Sequence, residues 1–195
     1  MDTLVLATRN EGKVKELRSV LDPLGIQLKS SADFPELEEV IEDRETLEGN
    51  ACKKARYTSS VTGYPALADD TGLEVNALAG RPGVYSARYA GADATDQQNI
   101  NKLLNELNQK AVEHRKAQFR TVIALVSSSG SHTFEGICPG MITNKEQGEG
   151  GFGYDPVFVP QGYEQTFAEL NTDIKNKISH RGKAIQQLLN WLKAQ

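Results

Sequence analysis

The 195-residue chain predicts an α/β or α+β fold with a mixed sheet. Two observations carry this: the chain opens with a β-α-β pattern, and its middle holds a strongly alternating hairpin. The elements follow in order. Thr3 to Ala7 reads as a buried strand. Asn10 is a good helix N-cap, and Val14, Leu17, Val20, Leu21 and Leu24 recur at helical spacing behind it. Pro23 and Gly25 close that helix, and Ile26 to Lys29 forms a second strand. Asp33 to Glu48 is acidic and weakly patterned. A helix is expected from Thr46 or Leu47 to about Thr58, with Ala51, Ala55 and the stems of Lys54 and Arg56 available for packing.

Pro65 to Ala68 and Leu73 to Asn76 are strands or strand fragments on either side of Asp69-Asp70-Thr71-Gly72. Gly80 to Gly91 reads as a long ordered loop. Asp96 then caps a helix with the stripe Ile100, Leu103, Leu104 and Leu107. From Ala117 to Ser127, Phe119, Thr121, Ile123 and Leu125 alternate with Arg120, Val122, Ala124 and Val126. Ser129-Gly130 turns this strand back into a partner over His132 to Cys138. Gly148 to Gly153 is a glycine loop leading into Val157-Phe158-Val159. The last helix carries Ala184, Ile185, Leu188, Leu189 and Leu192, with Ser179 or His180 near its start.

Length allows one domain or two closely joined lobes, and a chain of this size buries roughly 70% of its unfolded surface. The composition is 38% hydrophobic and 25% charged, ordinary for a globular protein. A net charge of −4 without a basic cluster argues against binding nucleic acid through its backbone. Cys52 and Cys138 fit no zinc spacing and read as free thiols in a reducing compartment. Met1 to Asn10 is too short and polar for a signal peptide, and no apolar run approaches the ~20 residues of a membrane span. A cytoplasmic protein is expected.

Four segments offer chemistry. Two adjacent carboxylates, Asp69 and Asp70, repel one another, and burial disfavours both; a divalent cation such as Mg²⁺ removes that cost. By itself the string reads first as a solvated turn. Thr8-Arg9-Asn10-Glu11-Gly12-Lys13 ends a strand and starts a helix, which makes an anion site. That segment alone is more simply a capped helix with a surface lysine. Gly150 to Pro156 places Phe152 and Tyr154 among glycines, suiting either base stacking or a hairpin turn with aromatics in the core. Lys175 and Ser179-His180-Arg181-Gly182 put cationic groups at a helix start, where the dipole disfavours them. Phosphate or a purine edge would explain them, and so would plain surface residues. His114, in the charged run Glu113 to Lys116, and His132 read as structural. Taken together, the segments hold what an Mg²⁺-nucleotide site needs.

The motifs occur in the order of one family. The sequence resembles the RdgB/HAM1 family of inosine/xanthosine triphosphate pyrophosphatases. The resemblance rests on Leu6 to Lys13, Thr46-Leu47 with Asn50-Ala51 and Lys54-Ala55, Ala68 to Leu73, Pro82 to Tyr89, Gly151 to Pro156, and Ser179 to Gly182. It implies a long twisted mixed sheet with two lobes and a central cleft, Mg²⁺ as cofactor, and a homodimer. It also implies hydrolysis of dITP, ITP or XTP to the monophosphate and pyrophosphate. Asp70 then matches the general base and a metal ligand, and Glu42 a second ligand. Asp69 is a supporting carboxylate. Thr8, Arg9, Asn10, Glu11, Gly12 and Lys13 match the first phosphate segment, Lys54 a phosphate contact, and Thr71 a substrate contact. Phe152, Gly153, Tyr154, Asp155, Lys175, His180 and Arg181 match base and substrate binding. Backbone N–H groups of the Phe152 loop, with His180 and Arg181, are candidate donors to a purine O6. Arg88 belongs to a motif near the site. Gly49 and Ile174 depart from residues common in the family. A pyrophosphatase for another modified nucleotide and a non-catalytic nucleotide-binding module are the alternatives.

Overall fold

The structure is a computed structural model that describes residues 2–110 and 115–194. His114 and Glu113 lie outside the described residues. Among the described residues the strands are β1 (Thr3–Leu6), β2 (Gln27–Ser30), β3 (Ala66–Val75), β4 (Pro82–Gly83), β5 (Lys116–Ser127), β6 (Gly130–Ile142) and β7 (Phe158–Pro160). They form one mixed sheet in the order β2-β1-β3-β5-β6-β7, with β4 paired to β3. β1 runs parallel to β2 and β3; β4 is antiparallel to β3, and β7 to β6. The helices are α1 (Glu11–Leu21), α2 (Leu47–Thr62), α3 (Asp96–Gln109), α4 (Thr172–Ile178) and α5 (His180–Lys193). The expected mixed α/β class is observed. No helix of the described residues is long and apolar enough to cross a membrane.

The chain divides into two compact units. The first comprises Met1–Asp70, Val122–Glu135 and Ala184–Gln195; the second comprises Thr71–Thr121 and Gly136–Lys183. Each has its own core. In the first, Leu4, Leu6 and Leu67 of the sheet meet Leu17 and Leu21 of α1 and Ala184 and Leu188 of α5. In the second, Leu103 and Leu107 of α3 meet Leu73, Phe119 and Phe158. Fully burying each of these leucine and phenylalanine side chains contributes about 1.5–3 kcal/mol.

Helix ends follow the local chemistry. The Asn10 side chain accepts from the Lys13 amide at 3.1 Å, so α1 starts as expected, and Gly25 at φ +73° receives the chain after it. Thr46 caps α2, which turns Leu47, Ala51, Ala55 and Thr58 inward. That helix runs to Thr62, four residues beyond expectation, and Arg56 stays exposed rather than packed. α3 is capped by Thr95 and not by Asp96: the Thr95 and Gln98 side chains exchange hydrogen bonds with each other's amides. α4 has no counterpart in the sequence reading.

The largest correction concerns Asp69-Asp70-Thr71-Gly72. It is no turn but the middle of the ten-residue strand β3. Gly72 serves close approach: a Cβ there would lie 2.5 Å from the carbonyl oxygen of Gly83 in β4. Both aspartates are 7% exposed, so the solvated-turn reading fails.

Candidate active site

In the first unit, β3 carries Asp69 and Asp70 inward, and two helices answer them with lysines. Lys13 of α1 donates to both carboxylate oxygens of Asp69 at 2.9 Å. Lys54 of α2 lies 3.6 Å from Asp70 Oδ1 and donates to Glu42 Oε1 at 2.5 Å. Asn50 is fully buried one turn before Lys54. Its Nδ2 donates to Asp70 Oδ2 at 3.1 Å, and its Oδ1 accepts from the Arg44 amide at 2.9 Å. One side chain thus orients Asp70 and pins the segment that bears Glu42. Sequence reasoning gave Asn50 no role. The signal was its spacing: Asn50 and Lys54 are four apart, on one face of α2.

Burial is the largest influence on Asp70 and pushes its pKa up to about 6; Lys54 pulls it down, and Glu42 adds to the rise. Burial works against the Lys54 ammonium, but Asp70, Glu42 and Asp69 outweigh it and hold its pKa above the ordinary lysine value. Glu42, Asp69 and Asp70 carry three negative charges against two on Lys13 and Lys54. Hard oxygen donors in carboxylate excess suit a hard divalent cation. Among the described residues no group of three or more His, Cys, Asp or Glu side chains is assembled as a metal cage.

The rest of the first phosphate segment surrounds the start of α1. Thr8 Oγ1 accepts from the Asn10 amide at 3.2 Å, and Arg9 donates to the Leu37 carbonyl at 2.9 Å. Glu11 and Gly12 are exposed in the first turn, where helix amides lack helical partners. Gly49 is explained locally: a Cβ there would press on Arg44 Cβ at 2.9 Å.

In the second unit the loop after Gly150 splits its aromatics. Tyr154 is buried and its hydroxyl donates to the Ser86 carbonyl at 2.9 Å, whereas Phe152 is 59% exposed. Lys175 Nζ lies 5.1 Å from the Phe152 ring centroid, and Arg181 Cζ lies 5.7 Å from it. Asp155 Oδ2 accepts from Lys175 at 2.5 Å and from the Phe152 amide at 2.8 Å. The Gly153 amide donates to Asp96 Oδ2 at 2.6 Å. Two loop N–H groups expected to face a base are therefore engaged by carboxylates. His180 is buried, its ring stacked on Phe119 at 4.6 Å and 17°, so it is not a surface residue. Arg181 is half-buried. Thr71 shares a 2.6 Å hydroxyl–hydroxyl hydrogen bond with buried Thr121. Arg88 stacks over Tyr85 at 5.3 Å. Ile174, in α4, is exposed.

The first unit thus sets carboxylates against lysines, and the second sets an exposed ring beside two cations. Comparison with known proteins gives the family. The Ham1 family model matches residues 4–191, and the chain belongs to that family. It is 53% identical to a protein of Desulforamulus reducens named dITP/XTP pyrophosphatase, over 97% of this chain and 94% of that one. A protein of the same name from Geobacter sulfurreducens is 50% identical, over 98% and 97%. Among solved structures, a HAM1 protein from Coxiella burnetii superposes with a TM-score of 0.95 at 39% identity, covering 100% of both chains.

Proposed function

We propose that this protein is a nucleoside-triphosphate pyrophosphatase. It hydrolyses non-standard purine nucleotides, dITP, ITP and XTP, to the monophosphate and pyrophosphate. The observation that carries the chemistry is Asp70. A carboxylate with a pKa near 6, oriented by Asn50, is ionised at neutral pH yet basic enough to take a proton from an attacking water. Lys13 and Lys54 neutralise phosphate oxygens, and the first turn of α1, with Thr8, Arg9, Asn10, Glu11 and Gly12, receives the phosphate chain. Thr71 contributes a hydroxyl to the substrate. In the second unit Phe152 stacks on the base, with Gly153, Tyr154 and Asp155 shaping its loop. Lys175, His180 and Arg181 supply hydrogen-bond donors to a 6-oxo purine. Adenine presents an amino donor there and would leave those donors unpaired.

Mg²⁺ is the proposed cofactor, held by Asp70 and Glu42, and their hard oxygens support that choice. A bound Mg²⁺ supplies charge neutralisation on the leaving pyrophosphate. The two units act as one catalytic domain in a homodimer. Exposed Tyr85 supports the dimer, whereas Pro82 and Tyr89 of the same motif are buried. The free cysteines Cys52 and Cys138 support a cytoplasmic home.

The test is product analysis with ITP, XTP, dITP, ATP and GTP in the presence of Mg²⁺. Pyrophosphate, rather than orthophosphate, should be released from the first three and hardly from the others. Asp70→Asn should abolish it. Near-normal turnover by that variant would remove Asp70 from the role of base.

A further inference from the structure

The Phe152 ring is mostly solvent-exposed, so packing does not set its position. Its backbone sits between Gly151 at φ +77° and Gly153 at φ +59°, the most permissive neighbours a residue can have. Lys175 and Arg181 lie beside the ring, and the backbone that carries it is held by the amides at 152 and 153, each of which donates to a carboxylate. The Phe152 amide donates to Asp155, whose carboxylate Lys175 also holds in place at 2.5 Å. The Gly153 amide meets Asp96, from the first turn of α3. Asp96 is free for this because Thr95 caps the helix.

We propose that Asp96 is a positioning residue for base recognition. Its carboxylate holds the Gly153 amide and, through it, the orientation of the Phe152 ring. One consequence concerns selectivity. With the amides of Phe152 and Gly153 both engaged, discrimination for a 6-oxo purine falls to the side chains of Lys175, His180 and Arg181.

The proposal rests on the pyrophosphatase reading, so its test has one arm that needs turnover and one that does not. Asp96→Ala removes the acceptor. Asp96→Asn keeps an acceptor of the same shape, and both variants lose the same charge at the start of α3. In steady-state pyrophosphate release from ITP, Asp96→Ala should raise KM about tenfold while kcat moves less than about twofold. Asp96→Asn should stay within about threefold of the parent KM. Inhibition by inorganic tripolyphosphate, which has no base, should be the same in all three proteins. Amide hydrogen exchange at Gly153, measured without nucleotide, should quicken about tenfold in Asp96→Ala and less in Asp96→Asn. An unchanged KM in Asp96→Ala, or an equal weakening of tripolyphosphate inhibition, would overturn the proposal. So would unchanged exchange at Gly153. A parent protein that releases no pyrophosphate from ITP refutes the pyrophosphatase reading instead, and the exchange arm then decides whether Asp96 holds the loop.

Discussion

Replacing Asp70 with Asn should make the metal-free protein more stable while ending its activity. Asp70 has its pKa raised from 3.8 to about 6 by burial, which disfavours the charged form by roughly 3 kcal/mol at pH well above 6. The sign follows from linkage. A carboxyl whose pKa is higher folded than unfolded contributes stability that is fully present below 3.8 and lost as pH rises through about 6. Asn is a neutral isostere. It keeps an oxygen for the Asn50 amide and never takes the charge. Its advantage should therefore be small near pH 4, grow through about 6, and reach roughly 3 kcal/mol by about pH 7.5. For a chain of this length that is about 6–12 °C in Tm. The assay is thermal or urea unfolding of both proteins with a chelator, across that pH range. A variant no more stable than the parent at pH 7.5, or one whose advantage does not change with pH, would falsify the claim that Asp70 is held at a cost. The coincidence of a stability gain with a loss of turnover is a signature of functional groups kept in unfavourable surroundings.

Three further outcomes are expected. Lys54→Met leaves Asp70 and Glu42 without their shared cation and should cost about 3 kcal/mol at neutral pH, read by urea midpoint. The loss should shrink near pH 5, where Asp70 can protonate; a loss independent of pH would refute the electrostatic account. Phe152→Ala should raise KM for ITP about tenfold, as stacking on a base predicts, with Tm nearly unchanged because the ring is exposed. Gly72→Ala forces a methyl against the Gly83 carbonyl and should lower stability by about 3 kcal/mol, visible in the same urea titration.

How legible the chain was depends on where the information sits. α1, β5 with its hairpin partner, and α5 are written in local periodicity, and they formed where periodicity placed them. β3 was not readable, because Asp-Asp-Thr-Gly has the composition of a turn. What keeps it extended and buried comes from afar: Lys13 and Lys54 supply the cations, and β4 supplies a backbone that only glycine lets so close. α4 was missed since Ile174 and Ile178 are its sole apolar side chains and no stripe results, although Asn171 capping Asp173 was a usable signal. Of the candidate site, Asp70, Glu42, Lys54 and Lys175 were named from motifs, and the structure pairs Lys54 with Glu42 and Asp70, and Lys175 with Asp155. Asn50 and Asp96 make hydrogen bonds to residues 20 and 57 positions away; helical spacing puts Asn50 on the face of Lys54, but no local pattern records the partner of either.

The lysines of the first unit do not wait with bare charges. Lys13 is committed to Asp69, and Lys54 to Glu42 and Asp70. A triphosphate that drew both lysines to itself would strand three carboxylates facing one another, and that repulsion would offset much of what the new contacts contribute. A triphosphate that arrives already carrying a cation leaves the carboxylates as well matched as it found them. On the proposed function, binding at this end would be an exchange of partners, and charge balance itself would screen ligands by whether they come with their counterion.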